Sequence, residues 1–371
     1  MTQRLTLSLC GDVMTGRGVD QILPHPSDPA IHEPYVQDAR EYVALAEAAN
    51  GPIPRTGDPT YLWGDALDEL DEAGPQVRII NLETAVTCED SHWKGKGINY
   101  RMHPQNIECL TAARIDVCVL ANNHVLDYGY AGLSDTVTLL RRHGLETTGA
   151  GENAAGARQP ALVDVDGRRV ILLSLGATSS GIPPAWAATT DRPGVDLIDD
   201  LSEDTARGIV ERVRRVKRSG DIAVASIHWG SNWGYDIEDE QIQFAHWLVD
   251  GGVDIIYGHS SHHPRPIEVY NGKLVLYGCG DLINDYEGIS GHEEFRGDLA
   301  LMYFPIVDNT TGRLHELRLS PMQIVKMRLS HASAQDSAWL VDAVSRASAP
   351  FDSRVTLAAE NRLELSWKSQ E

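Results

Sequence analysis

At 371 residues the chain has room for one large domain or two ordinary ones, and its 42% hydrophobic and 23% charged residues exclude disorder, collagen-like repeats and coiled coil. Lys and Arg number 32 against 53 Asp and Glu, a formal net charge of −21, which disfavours a general nucleic-acid or membrane-surface binder while leaving room for a local basic pocket. The five cysteines (Cys10, Cys88, Cys109, Cys118, Cys279) are scattered and form no C-x-x-C pair, so they read as reduced thiols, mostly in the core.

The first element is the apolar run Leu5–Cys10, which stops at Gly11-Asp12. It is too short for a signal segment or a membrane span, so a cytoplasmic protein is expected. Further Val-, Ile- and Leu-rich runs follow at Val77–Leu82, Val117–Ala121, Val170–Leu175, Ile222–Ile227, Val253–Tyr257 and Leu274–Tyr277. Each predicts a strand buried on both faces. Amphipathic stretches with helical spacing lie between several of them, at Leu133–His143, Thr205–Ser219 and Gln241–Asp250. The alternation is α/β, interrupted by hairpins turning at Asp166-Gly167 and Asn271-Gly272, so a mixed sheet or two sheets is expected. Residues 21–59 are rich in Pro, Ala and acidic side chains and read as an insertion over a sheet edge. Ala332–Arg346 predicts a peripheral C-terminal helix. No repeat or low-complexity linker divides the chain, so residues 1–371 read as a single domain.

Polar residues gather just after the predicted strands, where open α/β sheets place their ligand crevices. They are Asp12 and Arg17, then Asn81 and Glu83, then Asn122-Asn123-His124, then His228-Trp229, and finally His259, His262 and His263. Singly, any of these is a capped turn or a hydrogen-bonded loop histidine. Three imidazoles between Gly258 and Pro264, however, have no evident packing purpose. Together the Asp, Glu, Asn and His residues form an O/N donor set suited to a divalent ion such as Zn, Mn or Fe rather than a thiolate site.

The ordered series Gly11-Asp12-Val13-Met14, Asn81-Leu82-Glu83, Ala121-Asn122-Asn123-His124, His228-Trp229-Gly230 and Gly258-His259-Ser260-Ser261-His262 resembles the poly-gamma-glutamate capsule-synthesis, or CapA-like, proteins. The likeness extends from about Leu5 to Tyr303. That family is similar in turn to calcineurin-like metallophosphoesterases, which implies a four-layer α/β/β/α sandwich with mixed sheets and a metal centre of one or two ions. By the resemblance, Asp12, Glu83 and His262 would hold one ion and Glu83, Asn123, His228 and His259 a second. His124 would be a non-ligand catalytic histidine oriented by Asp127. Two departures count against two-metal phosphoester hydrolysis. Met14 stands where a phosphoesterase has a ligand histidine, and Glu83 replaces the usual bridging Asp.

Around the expected site lie Trp229, Trp233, Tyr235, Tyr286 and Trp186, with Arg101 and Arg265 as anion anchors. Trp229 and Trp233 are favoured for substrate contact and Trp186 is assigned to packing. His292, in the loop after Asp281, is a candidate second acid/base group opposite Asp12 or His124. The soluble CapA-like branch includes lasso-peptide epimerases. On that likeness the expected activity is metal-dependent inversion of a Cα centre in a peptide substrate, with Asp12 as a base. Metallophosphoesterase-like hydrolysis and a CapA-type capsule role are the alternatives. Oligomeric state is not legible.

Overall fold

Each of the apolar runs folds as a strand, and period-two geometry sends its alternate side chains to opposite faces. In the computed structural model, which describes residues 4–55 and 57–368, two large mixed sheets of eleven and seven strands result. The protein is a mixed α/β structure.

In the first sheet, Arg4–Cys10 and its continuation Asp12–Val13 run parallel to Val77–Leu82, followed by Val117–Val119 and Glu146–Thr148, also parallel. On its other side Arg4–Cys10 pairs antiparallel with Leu299–Asp308, and the sheet continues through Leu314–Val325, Leu363–Trp367 and Ser353–Leu357. In the second sheet Arg168–Ala177, Ile222–His228, Ile255–His259 and Lys273–Leu276 are successive parallel neighbours.

Leu5, Leu7, Leu9, Val77 and Ile79 of the first sheet share one buried cluster with Val170, Leu172, Val224 and Ile255 of the second. The intervening residues face away. Ile80, Leu82, Cys118 and Leu120 pack with Leu133, Val137 and Leu140 of the helix Gly129–Arg142. Ile171, Leu173, Ala223 and Ile256 pack with Ile209 and Val213 of the helix Glu203–Val216 and with Phe244 and Leu248 of the helix Asp239–Gly251. Truncating a fully buried leucine such as Leu7 in such a core costs about 2–5 kcal/mol.

Local chemistry sets the element ends. Ser202 caps the helix Glu203–Val216 by accepting from the Thr205 amide, with acidic residues in its first turn and Arg214 and Arg215 in its last. Both expected hairpins close through two-residue loops with positive φ at each position, 50° and 82° at Asp166-Gly167 and 50° and 76° at Asn271-Gly272.

Two segments depart from expectation. Within residues 21–59 the helix Arg40–Asn50 buries Tyr42, Val43 and Ala46 in the cluster on the first sheet, so part of the segment is packed structure. The C-terminal helix spans Ala334–Ser348, and the strands after it extend the first sheet, which the residue pattern had not indicated. Among the described residues, no helix is long and apolar enough to cross a membrane.

Candidate metal centre

Parallel pairing carries the C-terminal ends of several strands to one place. Asp12 is the register partner of Asn81, and His228 of His259. Asp12, Glu83 and His228 each offer a ligand atom within 4.8 Å of the others, and all three are buried. His259 joins them through Nδ1, 2.9 Å from Asp12 Oδ1.

Two asparagines hold this arrangement. Asn81 Nδ2 donates to Asp12 Oδ1 at 2.7 Å and lies 3.4 Å from His228 Nδ1. Asn122 Nδ2 donates to Asn81 Oδ1 and to the Leu82 carbonyl, while its own Oδ1 accepts from the amides of His124 and Val125. Asn122 therefore fixes the turn that presents Asn123 and His124.

Five buried polar atoms on these strand-end residues have no hydrogen-bond partner among the described residues: Asp12 Oδ2, Glu83 Oε2, Asn123 Oδ1, His228 Nε2 and His259 Nε2. Leaving such groups unpaired costs about 1–3 kcal/mol each. Three of them belong to Asp12, Glu83 and His228, whose ligand atoms lie within 4.8 Å of one another, and such a group fits a divalent cation, for which oxygen and imidazole nitrogen are suitable donors. Electrostatics agree. Burial, then the neighbouring Asp12 charge, pushes the Glu83 carboxyl well above the usual carboxylate range. Burial opposes ionisation of Asp12 as well, but the hydrogen bond and charge of His259 prevail and hold it below its ordinary value. Burial pushes His228 down to about 3, so its imidazole is neutral and suited to ligation.

His124 stands beside this group, its Nε2 3.7 Å from Glu83 Oε1. Its Nδ1 lies 2.5 Å from Asp127 Oδ2, and the Tyr100 ring packs edge-on against it with centroids 4.4 Å apart. Sequence reasoning missed Lys96, whose Nζ is 2.8 Å from His124 Nδ1 and 2.6 Å from Asp127 Oδ1. No spacing signal marks Lys96, because it lies in a loop and meets His124 only through tertiary folding. Burial brings His124 down to about 4 despite Asp127. Met14 is also buried, and its sulfur accepts from the Tyr286 hydroxyl at 3.5 Å.

Several expected site residues are committed elsewhere. His262 pairs Nδ1 with Asp281 Oδ1 at 3.0 Å and Nε2 with Asn232 Nδ2 at 3.1 Å, and it is not among the three residues whose ligand atoms lie within 4.8 Å of one another. Trp229 is a core residue, 1% exposed, with its indole N–H donating to the Tyr277 carbonyl, which leaves it no surface for a substrate. Arg265 is 2% exposed, and its Nη2 braces the loop at Ser231 through the Ser231 carbonyl and hydroxyl. Arg101 is held by the Glu89 carbonyl and by Asp90. Trp186 is fully buried, in accord with a packing role.

Trp233 and His292 instead stack on each other, centroids 4.1 Å apart, in the wall of a cleft of about 930 Å³ that also takes in His262 and Tyr286. The cleft's two arginines are already paired, Arg17 with Glu33 and Asp285, and Arg296 with Asp298 and Asp336.

Residues 6–286, which contain every group described at this centre, match the bacterial capsule synthesis protein family PGA_cap. A probable polyglutamine synthesis accessory protein of Mycobacterium tuberculosis is 50% identical over 363 residues, covering 97% of this chain and 96% of its own length. The PGA biosynthesis protein CapA of Bacillus subtilis is 29% identical over 329 residues, 86% of this chain and 74% of that one. The capsule biosynthesis protein CapA of Bacillus anthracis is 26% identical over 325 residues, 86% and 68% of the two chains. The chain belongs to the bacterial capsule synthesis protein PGA_cap family.

Proposed function

We propose that this protein is a CapA-type accessory enzyme of capsule-polymer synthesis, metal-dependent and hydrolase-like, acting on a glutamate-derived polymer or its precursor. The names of the relatives support the polymer. They concern polymer and capsule synthesis, and nothing in them points to peptide epimerisation, so the capsule-type alternative replaces that expectation. The three buried clusters support one domain layered helix, sheet, sheet, helix, of the metallophosphoesterase type that the sequence resembles.

The observation that carries the reading is the set of five unpaired buried atoms on Asp12, Glu83, Asn123, His228 and His259. Those residues would hold the cation. When bound, it would supply Lewis-acid polarisation of an ester or amide oxygen in the substrate. The chain's own residues do the rest. His124, aligned at Nδ1 by Asp127, presents Nε2 toward the centre, where it takes a proton from the attacking water and passes it to the leaving group. Tyr100 packs its ring edge-on against His124 and meets the Tyr286 hydroxyl at 3.0 Å, which links the site to the cleft that Tyr286 lines. Trp233 and His292 offer the substrate an aromatic wall.

Elemental analysis of purified protein, paired with cleavage of poly-gamma-glutamate followed by the release of free amine, tests this. Bound divalent metal and metal-dependent turnover are expected, both lost in His228→Ala and in His259→Ala. Stoichiometric metal retained by either variant, or a bare protein indifferent to chelators, overturns the assignment.

A further inference from the structure

The strand ends opposite the metal centre carry charge of the other sign. Two concavities of about 150 and 350 Å³ meet there and share Gly220. Six basic residues line them, including Arg4, Arg168, Arg214 and Arg218, against Asp166, Asp221 and Asp254. In a chain with a formal charge of −21 this is a local reversal.

Two of those acids are already neutralised. Asp254 is shared by Lys217 and Lys273, two cations for one carboxylate, and Asp221 is taken by Arg169 and by the Arg218 amide. Nearby Asp308 is spent on the amides of Thr310 and Thr311. Among the described residues the Arg168 guanidinium hydrogen-bonds only neutral groups, the carbonyl and side chain of Asn309 and the Thr310 hydroxyl, with Asp308 acting on it through charge but forming no ion pair. Arg214 reaches only the Gly251 carbonyl, and the side chains of Arg4 and Arg218 enter no ion pair among the described residues. A helix C-terminus explains Arg214, which ends the helix Glu203–Val216. It does not explain Arg4 and Arg168, which come from the starts of strands in both sheets.

We infer that this basic pole binds a run of carboxylates on a polyanionic chain, the polymer being held at the end of the molecule remote from the metal centre. Guanidinium forks match carboxylates, and a concave, divided surface suits a threaded chain better than the plane of a membrane. The inference rests on the capsule-polymer reading and sharpens it. Of the two polymers that the relatives' names suggest, it selects the charged one over neutral polyglutamine.

The test is fluorescence anisotropy of the full-length protein with three probes: labelled poly-gamma-glutamate, labelled polyglutamine and phosphatidylglycerol vesicles, each across a salt series. Poly-gamma-glutamate should bind with strong salt dependence and polyglutamine should not. The double variant Arg214→Glu/Arg218→Glu should weaken that binding by about tenfold or more and flatten the salt dependence, with metal content unchanged and only the small fall in melting temperature that reversing a charge at a helix C-terminus brings. Arg4→Glu, in a different segment, should weaken it in the same direction. Equal binding of polyglutamine, binding to vesicles alone, or charge reversal without effect overturns the inference. Failure of the enzymatic reading is distinguishable, since it would remove metal or turnover while leaving polymer binding at this pole intact.

Discussion

Asp12 and His259 lie 247 positions apart in the chain, yet Asp12 Oδ1 accepts from His259 Nδ1 at 2.9 Å, which ties the end of the first strand of one sheet to a strand end of the other. The bond places the proton of His259 on Nδ1 and leaves Nε2 as a bare acceptor, the state a metal ligand requires. Asp12→Asn keeps the shape but removes the charge that orients this imidazole and neutralises a cation. The variant should fold, with most bound divalent metal lost, as read by elemental analysis alongside circular dichroism. Undiminished metal would mean that Asp12 serves as a base and not as a ligand.

Glu83 sets a pH dependence whose sign can be worked out. Its carboxyl is raised by burial and by Asp12, so its contribution to stability is fully present below the unfolded carboxylate pKa and is lost as pH rises through the folded value. A cation at the centre offsets that loss. Added divalent metal should therefore raise the melting temperature at neutral pH, by the equivalent of about 2.7 kcal/mol at hundredfold excess over its Kd. The gain should shrink as pH falls and Glu83 takes up a proton. Scanning calorimetry with and without chelator, at neutral and mildly acidic pH, measures it. A metal-induced shift that grows toward acid would contradict the account.

Much of this geometry was legible because strands buried on both faces write themselves as unbroken apolar runs. Val77–Leu82 has the same bounds in sequence and structure, and the other six runs differ only at their ends. Polar residues at the ends of such runs mark the crevice, which is how Asp12, Glu83, His228 and His259 could be singled out. Leu299–Asp308 and Leu314–Val325 escaped notice although they pair extensively, because no chemistry-bearing motif draws attention to them. Burial of side chains near strand ends was the least legible property. Trp229 and Arg265 have the composition of a binding site, but the indole N–H is taken by the Tyr277 carbonyl and Arg265 Nη2 by the Ser231 carbonyl and hydroxyl.

That difference separates two tryptophans. Trp229→Ala should cost about 3–5 kcal/mol of stability by opening a cavity beside Tyr277 and Phe244. Trp233→Ala removes a partly exposed ring from the cleft wall and should leave the melting temperature nearly unchanged while raising KM for a substrate that uses the cleft. Denaturant titration of both variants, with turnover measured on Trp233→Ala, checks the contrast. Equal destabilisation would place Trp233 in the core as well.

Lys96 makes the sharpest test of the proton-handling half of the site. Its Nζ lies 2.6 Å from Asp127 Oδ1, 3.1 Å from the Ile98 carbonyl and 2.8 Å from His124 Nδ1, so it neutralises Asp127 and fixes how that carboxylate meets the imidazole. It donates no hydrogen bond to the atoms that would hold a cation and acts on Glu83 only through its charge. Lys96→Met, which keeps the length of the side chain and removes the charge, should therefore leave metal content intact and lower kcat by about ten- to hundredfold, part of what a positioned acid/base group supplies. The change should fall on kcat and not on KM, because the ammonium faces Asp127 and not the cleft. Restoration of part of kcat by Lys96→Arg, with its charge but not its shape, would identify electrostatic positioning of His124 as the role. Loss of metal in Lys96→Met would instead make Lys96 a support of the ligand shell.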